Sequence, residues 1–428
     1  MGRLPWQAGV SLAAAAVLVS MAAAWSVRGR IEQLTLLRVL RVQALLLLNT
    51  LMAAATHYIW SKAAAGLHGP RPGPPSRGLR AWRATLAAFL LLAHSSSACL
   101  LTLVSEEPHP LSLLCYSCLG AYVFLLFSLL ACGALDRARG CVSRTPSARP
   151  GLALAVALSF TLVCTVLGLL NGRLPPVVKR VELPLHKLPQ SFHQLKMVLL
   201  SDIHLGPTVG RSKLQMVVNM VNDLNPDIVV IVGDLTDSQV VNLRTATEPL
   251  RQLMPKLGTY FVTGNHDYYS ADVANWLVHL QSLNIRPLHN EHVKIYSPRG
   301  NKDWFCLAGV DDIEADMLQY PEHGMDLNKA LDGCSSEDTI VLLAHQPAAA
   351  KRALQSRPDI SLVLCGHTHA GQIFPLAIAA YVLNPYFEGL YKTAENSLVY
   401  VTPGTIYYGI PMRLGSRAEI TELIFQTK

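Results

Sequence analysis

The sequence predicts a chain in two unlike parts, an N-terminal α-helical multi-pass membrane region and a C-terminal layered α/β domain. Three observations carry that expectation. The 428 residues are 51% hydrophobic and only 15% charged, which is too apolar for a wholly soluble protein. The apolar character is concentrated before about Leu170, where Leu and Ala dominate and Arg is the main charge. From Leu195 onward, short Val/Ile/Leu runs alternate with longer amphipathic segments, as strands alternate with helices in a layered domain.

In chain order, five apolar stretches are long enough to cross a bilayer: Gln7 to Ser26, Val39 to Trp60, Trp82 to Val104, Pro110 to Leu135 and Leu152 to Leu170. They place a membrane region at residues 1–176 and a globular domain at 177–428. Arg3 before an Ala-rich core resembles a signal peptide, but the run is long and a second span follows closely, which favours a retained span. Between the second and third spans, the stretch Gly69 to Arg77 carries four prolines and cannot continue a helix.

Charge then suggests an orientation. Five spans put Arg3, Lys62, Arg71, Arg77, Arg80, Arg83, Arg137, Arg139, Arg144 and Arg149 on one side. The other side has Arg28, Arg30, Arg38, then Glu106 and Glu107, then Arg173, Lys179 and Arg180 with the globular domain. The positive-inside bias assigns the first group to the cytoplasm and the globular domain to the lumen or the cell exterior. The lack of an N-x-[ST] acceptor beyond the last span pulls the other way. The formal net charge of +7 reflects these membrane flanks rather than one basic face, so nucleic acid is not indicated as a partner.

The nine cysteines form no disulfide framework. The one CxxC, Cys115 to Cys118, lies inside an apolar run with no second pair to complete a zinc site. Cys306, Cys334 and Cys365 have the means to pair in an oxidising compartment, with no pairing specified.

In the second part, Lys196 to Leu200, Asp227 to Val232, Thr259 to Thr263, Thr339 to Ala344 and Leu362 to Cys365 read as buried strands. Arg211 to Leu224, Ala271 to Leu283 and Pro347 to Ser356 have helical periodicity. A polar block follows each strand: Asp202-Ile-His204, Gly233-Asp234, Gly264-Asn-His-Asp267, His345, and Gly366-His-Thr-His369. Ligands in α/β sheets gather at the carboxyl ends of strands, where these blocks fall. Read as extended backbone, residues i and i+2 point the same way, so Asp202 with His204, and His367 with His369, can each grip a shared centre. Imidazole, carboxylate and amide oxygen without thiolate suit manganese, iron, zinc or magnesium. Two such ions clamp the oxygens of an in-line phosphoryl displacement and acidify a water between them, which makes a phosphomonoester or phosphodiester the expected substrate class.

These blocks, in this order, resemble the calcineurin-like metallophosphoesterase superfamily from about Met197 to the C-terminus. Gly366 to Gln372 and Gly309-Val-Asp-Asp312 look closest to its membrane-associated branch, which includes bacterial lipid-related phosphoesterases. The resemblance implies a four-layered α/β/β/α sandwich. It implies that Asp202, His204 and His369 hold one metal, that Asp234 bridges, and that Asn265, His345 and His367 hold the second. It further implies that His266 is the general acid, with Asp267 orienting its imidazole.

Any one block alone reads as a turn or helix cap, but five in order point to a bound metal pair. The competing class is a metal-stabilised binding or sensor module; retention of His266 and Asp267 favours catalysis. A channel formed by the five spans finds little support, since His94 with Ser95, Ser96 and Ser97 is the one polar cluster and helix packing explains it.

Other residues carry weaker expectations. Asp311 and Asp312 are candidates to hydrogen-bond a metal-bound histidine, or to cap a turn. Tyr268, Tyr269 and Trp276 are candidates for a substrate entrance, with Trp276 more suited to the core. His186, His193, His279, His289, His292 and His323 match no block and are expected not to be ligands. Residues Ile373 to Phe387 are unusually apolar beside a metal site. They fit either a segment resting on the bilayer interface that guides a lipid phosphoester, or a buried helix under the sheet.

Overall fold

The computed structural model describes residues 6–64, 76–143, 150–299, 302–394 and 396–427. Most of the Pro-rich connection, together with Arg3, Arg71, Arg144 and Arg149 of the charge comparison, lies outside the described residues. The chain divides into two compact units. One comprises the five N-terminal helices with Ile410–Met412, and the other comprises Leu103–His109, Asn171–Gly409 and Arg413–Lys428.

Each expected span is a helix: α1 (Trp6–Ser26), α2 (Gln33–Ala63), α3 (Arg77–Thr102), α4 (Pro110–Ser143) and α5 (Pro150–Arg173). All five are long and apolar enough to cross a membrane. Several run past the apolar stretch, because the hydrocarbon sets the length of the greasy run while backbone hydrogen bonding continues into the flanking polar turns. Ile59, Leu86, Leu90, Ala93, Leu125, Leu129, Leu154 and Ala157 form the core of this unit. The polar cluster around His94 is internally paired. The imidazole of His94 meets Asn49 Oδ1 at 2.8 Å and Thr56 Oγ1 at 2.9 Å, while Asn49 donates to Ser97 Oγ. Ser95 and Ser96 donate to carbonyls of their own helix. Such pairing ties apolar helices together where water is absent.

The second unit begins with β1 (Val177–Leu185), β2 (Lys196–Leu200), α6 (Arg211–Asp223), β3 (Ile228–Val232), α7 (Val240–Thr247) and β4 (Thr259–Val262). There follow α8 (Asn265–Tyr269), α9 (Val273–Ser282), β5 (Ile285–Pro287), β6 (Glu291–Tyr296), β7 (Trp304–Gly309) and the single turns α10 (Glu314–Met317) and α11 (Leu327–Ala330). It ends with β8 (Ile340–Leu343), α12 (Pro347–Ser356), β9 (Leu362–Cys365), α13 (Leu376–Leu383), β10 (Gly389–Lys392), β11 (Leu398–Val401) and β12 (Glu419–Thr427).

The strands form two six-stranded sheets, ordered β1-β12-β2-β3-β4-β5 and β10-β11-β9-β8-β7-β6. Met197, Leu199, Val230, Phe305, Leu307, Leu343, Leu364, Leu423 and Phe425 pack into one core between the sheets. The outer face of the first sheet is covered by α6, α7 and α9 through Leu214, Val217, Leu243, Trp276 and Leu280. The outer face of the second is covered by α11 and α12 through Ala330, Ala349, Ala350 and Ala353. The result is an α/β/β/α sandwich. Its strands β2, β3, β8 and β9 are the continuous apolar runs expected of strands buried on both faces. Within the same unit, Glu106 pairs with Arg211 at 2.7 Å and Glu107 accepts from the Ser212 backbone N–H, so the acidic connection before α4 caps the start of α6.

Candidate metal centre

The polar blocks converge from both sheets. Asp202 and His204 follow β2, Asp234 follows β3, Asn265 and His266 open α8 after β4, His345 follows β8, and His367 with His369 follow β9. The triads Asp202/His204/His369 and Asp234/His345/His367 result, each with ligand atoms within 4.8 Å of one another, and His266 joins His204 and Asp234 in a third such group. Asp234 Oδ2 stands between them, 3.6 Å from His204 Nε2 and 3.2 Å from His345 Nε2. Asn265 Oδ1 lies 3.0 Å from His367 Nδ1, beside the second triad.

The local backbone differs from the extended segments expected above. Asp202, His204, Asp234, His367 and His369 all have positive φ, from 50° to 73°. These are left-handed positions that cost a non-glycine residue energy and are held by surrounding structure at functional sites. A strand that simply continued would send alternate side chains to opposite faces and carry the block past the site. The left-handed turn at each ligand instead folds the chain back over the strand end. Gly233, at φ +76°, completes the turn before Asp234 where a Cβ would lie 2.6 Å from His345 Nδ1. Gly366 leaves no room for a Cβ against Ser201 and Asp202, and its neighbour His367 donates its backbone N–H to both Asp202 oxygens at 3.1 Å.

The imidazoles are oriented from behind. His345 Nδ1 donates to the Val232 carbonyl at 2.8 Å, so its Nε2 faces inward, 3.2 Å from Asp234 Oδ2 but without a hydrogen bond of good geometry. His204 Nδ1 donates to Asp237 Oδ1 at 3.0 Å, so its Nε2 also faces inward, 3.0 Å from His369 Nε2. Burial pushes His367 and His369 down to about 4, leaving both neutral near pH 7. Burial works against ionisation of Asp202 and Asp234, yet the surrounding histidines outweigh it and hold both carboxyls below the usual range. Facing lone pairs and buried carboxylates repel one another in a dry site unless cations lie among them. This donor set therefore fits divalent ions.

Asp267 requires a correction. Its carboxylate accepts the backbone N–H groups of Gly264, Asp234, Leu235 and Thr236, at 2.8 to 3.3 Å, and so knits the β3 and β4 loops together. The partner of His266 is Asp237, whose Oδ1 accepts from His266 Nδ1 at 2.9 Å as well as from His204. Burial would strip the proton from His266, but Asp234 and Asp237 prevail and hold its pKa at about 9. Asp237 was legible in principle: in Gly233-Asp-Leu-Thr-Asp237 a second carboxylate follows the first by three residues.

Two further residues escaped the sequence reading. The ring of Tyr408 lies 4.8 Å from that of His204 and 4.5 Å from that of His266, and it lines the site. Arg413, fully buried, donates to the carbonyls of His369, Pro403 and Ile406 at 2.8 to 2.9 Å, bracing the loop behind His369. Asp311 does not reach a metal-site histidine. It pairs with His289 and His323 at 2.8 and 3.1 Å, while Asp312 accepts from Gln346 and the Glu314 backbone. Tyr268 and Trp276 are buried in the core, whereas the Tyr269 ring stands 5.1 Å from His266.

A two-sheet sandwich whose strand ends deliver two histidine–carboxylate triads around a shared aspartate defines a metallophosphoesterase-type domain. Residues 195–371 match the family described as calcineurin-like phosphoesterase. A Danio rerio protein described as transmembrane protein with metallophosphoesterase domain is 54% identical, over 99% of this chain and 99% of its own length. Its Bos taurus counterpart is 54% identical, over 98% and 97%. A putative metallophosphoesterase of Caenorhabditis elegans is 30% identical, over 90% and 89%. The chain belongs to this family of transmembrane proteins with a calcineurin-like metallophosphoesterase domain.

Proposed function

We propose that this chain is a membrane-anchored, metal-dependent phosphoric ester hydrolase that cleaves a phosphomonoester or phosphodiester. The observation that supports this most is Asp234 Oδ2, which lies 3.6 Å from His204 Nε2 of one histidine–carboxylate triad and 3.2 Å from His345 Nε2 of the other. Two divalent ions, from manganese, iron, zinc or magnesium, would supply an acidified water nucleophile and neutralise charge on the phosphoryl oxygens. Asp202, His204 and His369 would hold one ion, Asn265, His345 and His367 the other, with Asp234 shared.

The remaining chemistry belongs to the protein. His266, with its Nδ1 held by Asp237, keeps Nε2 for the substrate and serves as proton donor to the leaving oxygen. Tyr408 and Tyr269 pack against that imidazole and limit its rotation. Asp267 acts indirectly, by fixing the Gly264 turn from which Asn265 and His266 project. An apolar rim beside the site, residues 373–387, supports a lipid phosphoester as substrate.

A catalytic domain facing the lumen or the exterior is supported by the Lys/Arg asymmetry and by the disulfide joining Cys306 to Cys334, a bond that persists in oxidising compartments. Full-length protein purified with manganese should hydrolyse a generic aryl phosphoester, and Asp234→Asn should abolish that turnover. Equal turnover by the two proteins would refute the assignment.

A further inference from the structure

Helix α13 has the composition of a core helix and the exposure of a surface one. Its sequence is Leu-Ala-Ile-Ala-Ala-Tyr-Val-Leu, and none of its residues is buried. Ile378 is 56% exposed, Tyr381 67%, Val382 73% and Leu383 80%. Residues 373–387 contain no Lys, Arg, Asp or Glu. A helix lying on a sheet in water turns a polar face outward, whereas α13 has no polar face to turn. Contiguous exposed apolar surface of this kind costs about 25 cal/mol per Å² in water and marks a contact site. This exposure rules out the buried-helix alternative for the segment.

Both ends of the segment are fastened to the loop that bears two of the site histidines. Gly371, at φ +72° two residues beyond His369, leaves no space for a Cβ because the backbone of Ala377 lies against it. At the far end, the hydroxyl of Thr368, between His367 and His369, donates to the carbonyl of Phe387 at 2.7 Å. Whatever α13 rests on is thereby coupled to the position of His367 and His369.

The chain itself supplies the reason to choose a bilayer as that support. The last apolar helix, α5, ends at Arg173 and β1 starts at Val177, a connection that spans no more than about 14 Å when extended. A domain on so short a tether stays beside the membrane. An uncharged segment with Tyr381, Tyr386 and Phe387 matches the interfacial zone, where aromatic rings settle at head-group level.

We infer that α13 lies in the bilayer interface and couples the His367–His369 loop to the membrane surface. This goes beyond the hydrolase reading and stands on exposure, composition and the short tether, independently of catalysis. Joined to that reading, it delivers phosphoesters of lipid head groups to the site.

The test uses the full chain, with Cys141→Ser, reconstituted one copy per nanodisc in phosphatidylcholine. An environment-sensitive fluorophore is attached at Val382→Cys, or at Val241→Cys on α7, which is 80% exposed. The parent without either substitution gives the background. Doxyl-labelled phosphatidylcholine should quench the label at position 382 several-fold more than at 241, with blue-shifted emission at 382. Equal quenching at the two positions overturns the inference. So does a blue shift at 382 without lipid quenching, which would mean the helix is covered by protein. Aryl phosphoester turnover on the same samples reports the hydrolase reading separately, because the quenching readout does not depend on catalysis.

Discussion

Two histidine–carboxylate clusters in the globular unit have the same ingredients. His204, His369 and Asp202 form one, and His289, His323 and Asp311 form another, each with its candidate ligand atoms within 4.8 Å. In the second cluster the facing nitrogens are occupied: His289 Nδ1 and His323 Nδ1 both meet Asp311, and His323 Nδ1 also meets the Tyr268 hydroxyl at 2.9 Å. In the first, the Nδ1 of His204 is tied back to Asp237, and the inward Nε2 atoms of His204 and His369 meet each other at 3.0 Å, with Asp202 Oδ1 3.2 Å from His369 Nε2. His345 Nε2 in the adjoining triad makes no hydrogen bond of good geometry, with Asp234 Oδ2 3.2 Å away. Composition and proximity alone do not distinguish the clusters. What separates them is that two ring nitrogens of the first cluster face each other, a mismatch that a cation between them resolves, whereas each such nitrogen of the second already meets a carboxylate or hydroxyl.

His345→Ala should lower turnover of an aryl phosphoester by more than about 100-fold, and reduce bound metal by one ion per chain in elemental analysis. His289→Ala should leave the metal content unchanged. If His289→Ala also loses an ion, the distinction between satisfied and unsatisfied clusters fails.

Next in size, Asp237→Asn should cost about 10- to 100-fold in metal affinity or turnover, because it loosens His204 and His266 together. A variant with wild-type kinetics and metal content would show that these imidazoles need no support from behind. Chelation should then lower the thermal midpoint of wild type and of His289→Ala by the same amount, on the order of 5 °C. Asp234→Asn should show a smaller shift. A midpoint for wild type that ignores chelator would argue against a structural ion pair.

The smallest effect concerns pH at the satisfied cluster. The hydrogen bond to Asp311 raises the pKa of His289. Burial opposes ionisation of Asp311, but hydrogen bonds from His289 and His323 hold its carboxyl below the usual range. A raised histidine contributes stability that is full below its unfolded pKa and is lost as pH rises through its folded value. A lowered carboxylate contributes stability that is lost as pH falls through its folded value. The stability gap between wild type and His289→Gln should therefore be widest at mildly acidic pH and close as pH rises past the folded pKa of His289. Since His289 is partly exposed, the gap should stay under about 1 kcal/mol in denaturant titrations. A gap that widens with rising pH would contradict the pairing.

Much of this architecture was legible in the residues. Apolar runs of about 20 residues have few stable alternatives to a membrane helix, and buried strands such as Ile228–Val232 announce themselves by unbroken Val and Ile. The four edge strands β1, β5, β6 and β10 were not foreseen. One side of an edge strand meets solvent, so its apolar run is interrupted, as in Glu291-His-Val-Lys-Ile-Tyr296. The site was legible because its residues lie in short blocks at strand ends. Tyr408 and Arg413 were not, because each comes from a C-terminal stretch with no motif of its own and reaches the site only after that stretch folds back across the sandwich.

Local composition and spacing carry the two-part organisation, the α/β character of the second part and the blocks that offer candidate metal ligands. Tertiary packing alone decides that Asp237 rather than Asp267 supports His266, that Asp311 serves a separate histidine pair, and that helix α13 stands exposed rather than buried. Each of those outcomes turns on which groups meet across the sandwich, and a hydrogen bond between distant loops leaves no trace in local periodicity.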